Sequence, residues 1–441
     1  MMSMADWIDL ITRKRAEEAL EAEEITAFVE AVQREEIAPE QAAAFLMATT
    51  LQGLEEEETS AFTKALTNSG QMLRFTDQTY PPIDIGETGS LGGKAIIPAL
   101  AIAAVYGAKL PVVAERSLRH VGGLLDKFEA IPGFRTDVAL SEFQEAVRTF
   151  GIAVIGQPMD LAPAETRINQ LRANTGTLGG VALTTASLLA RKAAAGIRGL
   201  VVEIACGSGG AAKNLREAHD FAEHLFNVGE GLGIHIGGII SERDNPLGHA
   251  IGDCLEMQEA IAVLKGEGPD DVRNLALHLA AALLVVGRHA PDVSQGKNLA
   301  ANAISDGRAF NKLKDFVANQ GGDTQVLDNP EQLPRGQGKR EVQTQRSGYI
   351  KAIDLQSLGA AWLHLGGSRS KRGEATDHRV GLLIHKKIGE RVEKGETLVT
   401  LHSSEKSKVE PAIEAVEEAF LISPTPVEKR RGLLENFGRV R

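Results

Sequence analysis

The sequence predicts an α/β protein with a separate all-α domain and a small C-terminal α+β domain, and three observations carry that reading. Apolar residues recur at three- and four-residue spacing through the first 70 residues, as in ITAFVEAVQREEI and PEQAAAFLMATTLQGL, the period of a helix with one buried face. From about residue 83, short β-branched runs ending in Gly or Ser alternate with helical stretches, the pattern of a mainly parallel sheet covered on both faces. Beyond a polar stretch at 323–345, HRVGLLIHKKIGERVEKGETLVTLHSS returns to strand alternation broken by Gly-containing turns.

The N-terminal helices have acidic, Ala-rich faces, and Pro39 stands where it starts the second of these segments. No catalytic residue types occur there at meaningful spacing. The segment IDIGETGSLGGKAIIPALAIAAVYGAKLPVVAE then reads as strand, Gly-rich turn, apolar helix and a second strand around Leu110–Ala114. Similar strand-turn units recur at IAVIG, GLVVEIACGSGG and IHIGGIIS. In such sheets ligands bind at the carboxyl ends of strands. Tight chain reversal accounts for either Gly-rich turn, GETGSLGG or ACGSGG, taken alone; the two together favour one shared pocket.

LAPAETRINQLRANTGTLGGVALTTASLLARKAAAG reads as two helices around a Gly-rich turn that return to the N-terminal helical layer. The domains are therefore expected at 1–70 plus 163–195 (all-α), 75–160 plus 197–335 (α/β) and 346–441 (α+β), with a cleft that a hinge opens and closes. DTQVLDNPEQLPRGQGKREVQTQR is read as a linker, and EPAIEAVEEAFLI as a helix following the C-terminal strands. The KKIGERVEKGETL turn looks like that of barrel-sandwich carriers, but no Lys stands plainly at a hairpin tip, so it is read as structural.

Composition narrows the function. Among 441 residues, 48 Lys+Arg stand against 59 Asp+Glu, a net charge of −11, and 43 % of residues are apolar. That balance, with no basic run interleaved with aromatics, argues against a nucleic-acid polymer as partner; one local cationic pocket for a small anion remains compatible with it. Cys206 and Cys254 make no disulfide framework and sit in no metal-ligand spacing. The N-terminus lacks the apolar core of a signal peptide. The longest apolar run, 96–106, is interrupted by Pro98 and falls short of the ~20 residues that span a bilayer. A soluble, cytoplasmic protein without membrane contact or cofactor is expected.

Five segments, in order, are HVGGLLDKFEAIPGF (120–134), AVIGQPMDLAPAE (153–165), NPLGHAIGDCLEMQEAIAVLKGEGPDD (245–271), FVANQGGD (316–323) and VGLLIHKKIGERVEKGETLVTL (380–401). Together they resemble the pyrimidine-nucleoside phosphorylase and thymidine phosphorylase family over nearly the whole chain. The resemblance implies the nucleoside phosphorylase/phosphoribosyltransferase type of fold and a homodimer. It also implies cleavage of a pyrimidine nucleoside by phosphate, giving free base and pentose 1-phosphate after cleft closure. Such chemistry passes through an oxocarbenium-like transition state. It needs donors for charge developing on the base and a phosphate held close to the sugar C1.

On the base side the resemblance implies Arg172, Ser187 and Arg191, the last an Arg where the family has Lys. Ser187 and Arg191 lie four apart on one expected helix and face one point; spacing alone favours solvated helix residues, and the resemblance turns the reading to base binding. On the phosphate side the sequence departs from the resemblance. Where the family's loop reads approximately Lys-His-Ser-Thr-Gly-Gly-Val-Gly-Asp, this chain has Ile85, Gly86, Glu87, Thr88, Gly89, Ser90, Leu91, Gly92 and Gly93. Two further phosphate-side hydroxyl positions hold Ala114 and Leu124, and the Lys-Thr-Gly of the second Gly-rich turn becomes Ala205-Cys206-Gly207. A carboxylate at Glu87 repels a phosphate dianion unless it is protonated or paired, so these replacements argue against ordinary phosphorolysis.

Two gains accompany the losses. Lys94 stands near the place where relatives with a structural potassium put a hydroxyl ligand. Its ammonium is expected to replace that ion beside Leu247, Ala250 and Glu259, leaving no metal; a surface cap on the turn is the competing account. Arg119, with Arg116 and His120, offers cationic groups for another anion. GSLGGKA is not a phosphate-binding P-loop, since its spacing is wrong and Ala95 takes the Ser/Thr place.

The leading expectation is thus a pentosyltransferase acting on a pyrimidine-type nucleoside or nucleotide with an acceptor other than ordinary phosphate. In that reading Glu87 orients water or stabilises the oxocarbenium. The alternatives are a catalytically inactive homologue that binds a nucleobase or nucleoside as a sensor, and an ordinary pyrimidine-nucleoside phosphorylase.

Overall fold

The computed structural model describes residues 4–76, 79–118, 122–371, 373–430 and 432–440. Four helices open the chain: α1 (Met4–Arg15), α2 (Ala22–Gln33), α3 (Pro39–Gln52) and α4 (Glu56–Thr67). Glu24 and Glu58 reach back to the N–H groups of Glu21 and Glu55 at 3.0 and 2.8 Å, satisfying donors that a helix start leaves open. Phe28, Phe45 and Phe62 are buried at the centre of this layer, with the Phe28 and Phe45 ring centroids 4.0 Å apart.

The α/β domain begins with β1 (Ile83–Glu87), α5 (Ile96–Val105), β2 (Leu110–Ala114), α6 (Leu124–Glu129), α7 (Leu140–Phe150) and β3 (Ile152–Gly156). Helices α8 (Pro163–Thr175) and α9 (Val181–Ala194) then leave it. Ala164, Ile168, Ala182, Leu183, Ala186 and Ala190 complete the core of the N-terminal helices, so the helical layer is assembled from two separated segments. The chain returns through β4 (Gly199–Cys206), α10 (Leu215–Gly231), β5 (His235–Glu242) and β6 (Ala250–Ile251). It continues through α11 (Asp253–Leu264), α12 (Asp270–Val286), α13 (Val293–Ser305), α14 (Arg308–Asn319) and α15 (Gln325–Asp328).

The parallel strands β1, β4 and β5 lie side by side, with Ile83 opposite Gly199 and Gly199 opposite His235. Every residue of β4 is buried, as a sheet covered on both faces requires. Strands β2 and β3 form a separate parallel pair. Where β1 meets β2, Ile83 N donates to Lys109 O at 2.8 Å. Beside it the buried Lys192 ammonium lies between Asp84 Oδ2 (2.6 Å) and Val113 O (3.0 Å). A side-chain donor therefore takes a carbonyl that a continuous ladder would use, and the expected single sheet is split.

The C-terminal part holds β7 (Gly338–Gln343), β8 (Gly348–Ile353), α16 (Leu355–Leu365), β9 (Gly381–Ile384), β10 (Arg391–Val392), β11 (Thr397–Ser403), α17 (Val409–Ala419), β12 (Phe420–Ser423) and β13 (Leu433–Gly438). One sheet runs β6-β9-β11-β7 and another β10-β8-β12. Three details differ from the sequence reading. The 323–345 stretch is not all linker, because it contains α15 and β7. Helix α17 does not follow the last strand, because β-branched and aromatic residues continue it directly into β12. And β13 leaves the C-terminal part to pair antiparallel with β5. Gly238 permits this last pairing, since a Cβ there would collide with the Phe437 ring. Among the described residues, no helix is long and apolar enough to cross a membrane.

Candidate functional site at the seam of the helical and α/β layers

Helix α9 is the seam. Its N-terminal part packs in the helical layer, while Leu188, Arg191 and Lys192 reach the strand ends of the α/β domain. An added Cβ at Gly86 would come within 3.0 Å of Leu188 Cδ1, so the end of β1 abuts α9 one residue from Ser187. The fold thus brings the expected base side against the expected loop side.

Two of the three base-side candidates, Ser187 and Arg191, converge on Glu165, a residue that the sequence reading did not single out. Ser187 Oγ donates to Glu165 Oε1 in a very short contact, and Arg191 Nη1 lies 3.8 Å from the same oxygen. Arg191 also pairs closely with Glu115, just past β2. Glu115 is 56 % exposed where Arg191 is only 10 % exposed, so this pair runs from the surface inward to the buried Glu165. Arg172 acts elsewhere, since its guanidinium donates to the carbonyls of Thr177 (3.0 Å), Leu178 (2.9 Å) and Leu183 (3.2 Å). It staples the α8–α9 turn, and burial lowers its pKa to about 10 against the attraction of Glu165.

On the loop side, Thr88 extends the sheet. Its N–H donates to Glu203 O (3.0 Å) and its Oγ1 accepts from Ala205 N (3.1 Å). Gly89 and Gly92 adopt φ of 87° and 82°, left-handed backbone that glycine enters without strain. Gly93 has no room for a Cβ, which would run into Glu87 Oε2. Part of Glu87 reaches the surface, but Oε2 is sealed from solvent with no hydrogen-bond partner among the described residues. Burial, then repulsion from Glu203, pushes the Glu87 carboxyl up to about 8 against the pull of Lys127 and Arg243.

Around it lies a buried network missed in the sequence. Arg243 pairs tightly with Glu203, which also accepts from Ser241 Oγ at 2.5 Å. Arg243 Nε reaches Ser90 Oγ at 3.4 Å, and Lys127 lies 3.5 Å from Glu256. Burial works to lower the Lys127 pKa, but attraction from Glu256 and then Asp253 outweighs it and holds the ammonium charged.

Lys94 is fully buried, and its ammonium donates to Leu247 O (2.8 Å), Ala250 O (2.5 Å) and Glu259 Oε2 (2.7 Å). These three donations match the three N–H groups of an ammonium. Burial raises the Glu259 carboxyl, but Lys94 outweighs that and leaves it below its ordinary range. A surface cap is therefore not what Lys94 forms.

Arg116 is 43 % exposed and pairs with Glu129; Arg119 and His120 lie outside the described residues. Among the described residues, Asp126, Asp253 and His378 bring possible metal-ligand atoms within 4.8 Å of one another. Arg369 already sits 2.6 Å from Asp126 Oδ1, and His378 is 2.7 Å from Asp253 Oδ2, so protein cations occupy that cluster. A cavity of about 870 Å³ opens further away, lined by Glu129, His364, Ser368, His378, Arg379 and Lys408 among others. Its lining includes none of the base-side candidates, so the α9 seam, where the chemistry-bearing residues meet, is the better candidate site.

Comparison with known proteins identifies the domains. Residues 8–70 match the helical bundle domain of a glycosyl transferase family, residues 79–310 its a/b domain, and residues 349–423 the pyrimidine nucleoside phosphorylase C-terminal domain. A pyrimidine-nucleoside phosphorylase of Staphylococcus epidermidis is 35 % identical over 399 residues, covering 90 % of this chain and 92 % of that protein. One of Staphylococcus aureus is 35 % identical over 427 residues, covering 96 % and 98 %. Among solved structures, anthranilate phosphoribosyltransferase from Thermus thermophilus aligns with a TM-score of 0.57 at 20 % identity, over 71 % of this chain and 99 % of that one, a likeness of fold. With all three domain types in order and a third of the residues shared along nearly the full length, the chain belongs to the pyrimidine-nucleoside phosphorylase family of glycosyl transferases.

Proposed function

We propose that this protein is a pentosyltransferase that splits a pyrimidine nucleoside with phosphate, as the names of its relatives state for them, in the cleft at the α9 seam. The observation that carries this reading is the likeness to those phosphorylases over 90 % or more of both chains. Ser187 and Arg191 are proposed to meet the base there, Arg172 to hold the turn that shapes their helix, and Thr88, Gly89, Ser90 and Gly92 to line the anion side. The sequence-based objection to phosphorolysis weakens on one point. With a pKa of about 8, Glu87 holds its proton at pH 7 and offers an O–H donor in place of a repelling charge.

A second reading, transfer to an acceptor other than phosphate, is favoured by a specific observation. Ile85, Ala114 and Leu124 leave apolar side chains where hydroxyl or cationic donors are expected, and all three are buried. Loss of one such donor alone costs a factor of ~10²–10³ in rate. Cytoplasmic location and a homodimer accompany the proposal.

The deciding experiment incubates the protein with uridine or thymidine, with and without phosphate, and follows free base. Release that requires phosphate supports phosphorolysis. Release independent of phosphate supports the second reading. Nucleoside-induced thermal stabilisation without release returns the chain to a binding role.

A further inference from the structure

We propose that Arg369, in the C-terminal domain, is a positioning residue for the segment that follows β2 and carries Glu115 and Arg116 to the cleft. Residues 115–117 close against the start of α6. Ser117 N donates to Asp126 Oδ2 at 2.5 Å and Leu125 N donates to Glu115 O at 3.2 Å. Gly123 makes the closure possible, because a Cβ there would strike Ser117 N and the Arg116 carbonyl carbon.

Arg369 grips this junction from the C-terminal domain. Its Nη1 donates to both Ser117 Oγ (3.0 Å) and Asp126 Oδ1 (2.6 Å), while its Nε donates to Glu374 O (2.9 Å) in its own loop. Asp126 is completely buried, Ser117 is 1 % exposed and Arg369 7 %. A planar guanidinium with several fixed donors suits such a multi-point grip, and an ammonium cannot reproduce it. Two residues before Ser117 stands Glu115, which holds Arg191, and Arg191 leans on Glu165 beside Ser187. One continuous set of contacts therefore joins the C-terminal domain to the base side of the cleft. The inference rests on the proposed site only for its effect on turnover; the grip itself is read from the contacts.

The test uses the full chain with Arg369→Ala, Arg369→Lys and Ser117→Ala. Amide hydrogen exchange is followed without substrate in peptides covering residues 110–126, with peptides covering 25–66 and 199–206 as references. Arg369→Ala is expected to speed exchange in 110–126 by about tenfold or more, the factor one charge-assisted hydrogen bond is worth, with the references unmoved. Arg369→Lys is expected to fall between parent and Ala, and Ser117→Ala to give a smaller rise. Unchanged exchange in 110–126, or an equal rise in all peptides, overturns the proposal; if Arg369→Ala does not fold, Ser117→Ala and Arg369→Lys carry the same test. In the base-release assay Arg369→Ala is expected to raise KM for nucleoside more than it lowers kcat. A parent that releases no base defeats the proposed function while the exchange result still decides the positioning role.

Discussion

The ammonium of Lys94 lies 2.7 Å from Glu259 Oε2 across 165 residues of sequence, and its two remaining donors go to the carbonyls of Leu247 and Ala250. A covalently attached cation thus fills a pocket built of one carboxylate and two carbonyl oxygens, ligands that suit a small metal ion equally well.

Lys94→Ala should therefore leave Glu259 and both carbonyls facing one another without a cation. Breaking a buried pair by removing one partner costs about 3–5 kcal/mol, to be measured as a lower urea midpoint. Potassium should restore part of that loss in the variant and leave the parent unmoved. A parent that responds to potassium while the variant does not would contradict a built-in cation.

Glu87 gives the protein a pH dependence of predictable sign. Its folded pKa of about 8 lies above the ordinary carboxyl value, so the folded state holds a proton that the unfolded state releases. The stability this contributes is complete below about 4.5 and is lost as pH rises towards 8. Glu87→Gln carries no such proton. Its melting temperature should match the parent near pH 4.5 and exceed it increasingly up to pH 8.5. A constant difference across that range would show that Glu87 is ionised in the fold.

Ser187→Ala removes the donor on Glu165 Oε1 while Glu165 stays 1 % exposed. A buried acceptor left short of a donor costs about 1–3 kcal/mol. The expected result is a comparable loss in denaturant unfolding together with weaker nucleoside-induced thermal stabilisation. Full stability with unchanged ligand response would remove Ser187 from the site.

Arg172→Lys keeps the charge and loses the fork that spans the carbonyls of Thr177, Leu178 and Leu183. About 1–3 kcal/mol of destabilisation is expected, with chymotrypsin or thermolysin cutting sooner at Leu178 in the 175–181 turn. Wild-type resistance to proteolysis would mean that the turn holds without the guanidinium.

Much of this architecture is legible in the sequence because its signals are local. The period of the N-terminal helices and the β-branched runs ending in glycine rest on neighbours within a few residues. What the sequence hides depends on distant partners. Glu165 looks like an ordinary acidic residue in the first turn of a helix, and only the crossing of α8 and α9 makes it the point on which Ser187 and Arg191 meet. Arg243 and Lys127 look like surface charges until β5 and α6 bury them beside Glu203 and Glu256. Lys192 splits the expected sheet by taking Val113 O, a contact no periodicity announces. Lys94 is legible because the resemblance supplies the long-range partners that spacing lacks.

The pairing of β13 with β5 has a mechanical consequence. The C-terminal domain is anchored at both ends, by the chain leaving α15 and by a strand hydrogen-bonded into the central sheet. In return β6, which follows β5 in the chain, is an edge strand of the C-terminal sheet through its pairing with β9. That domain is therefore geared to the α/β domain by a strand lent in each direction.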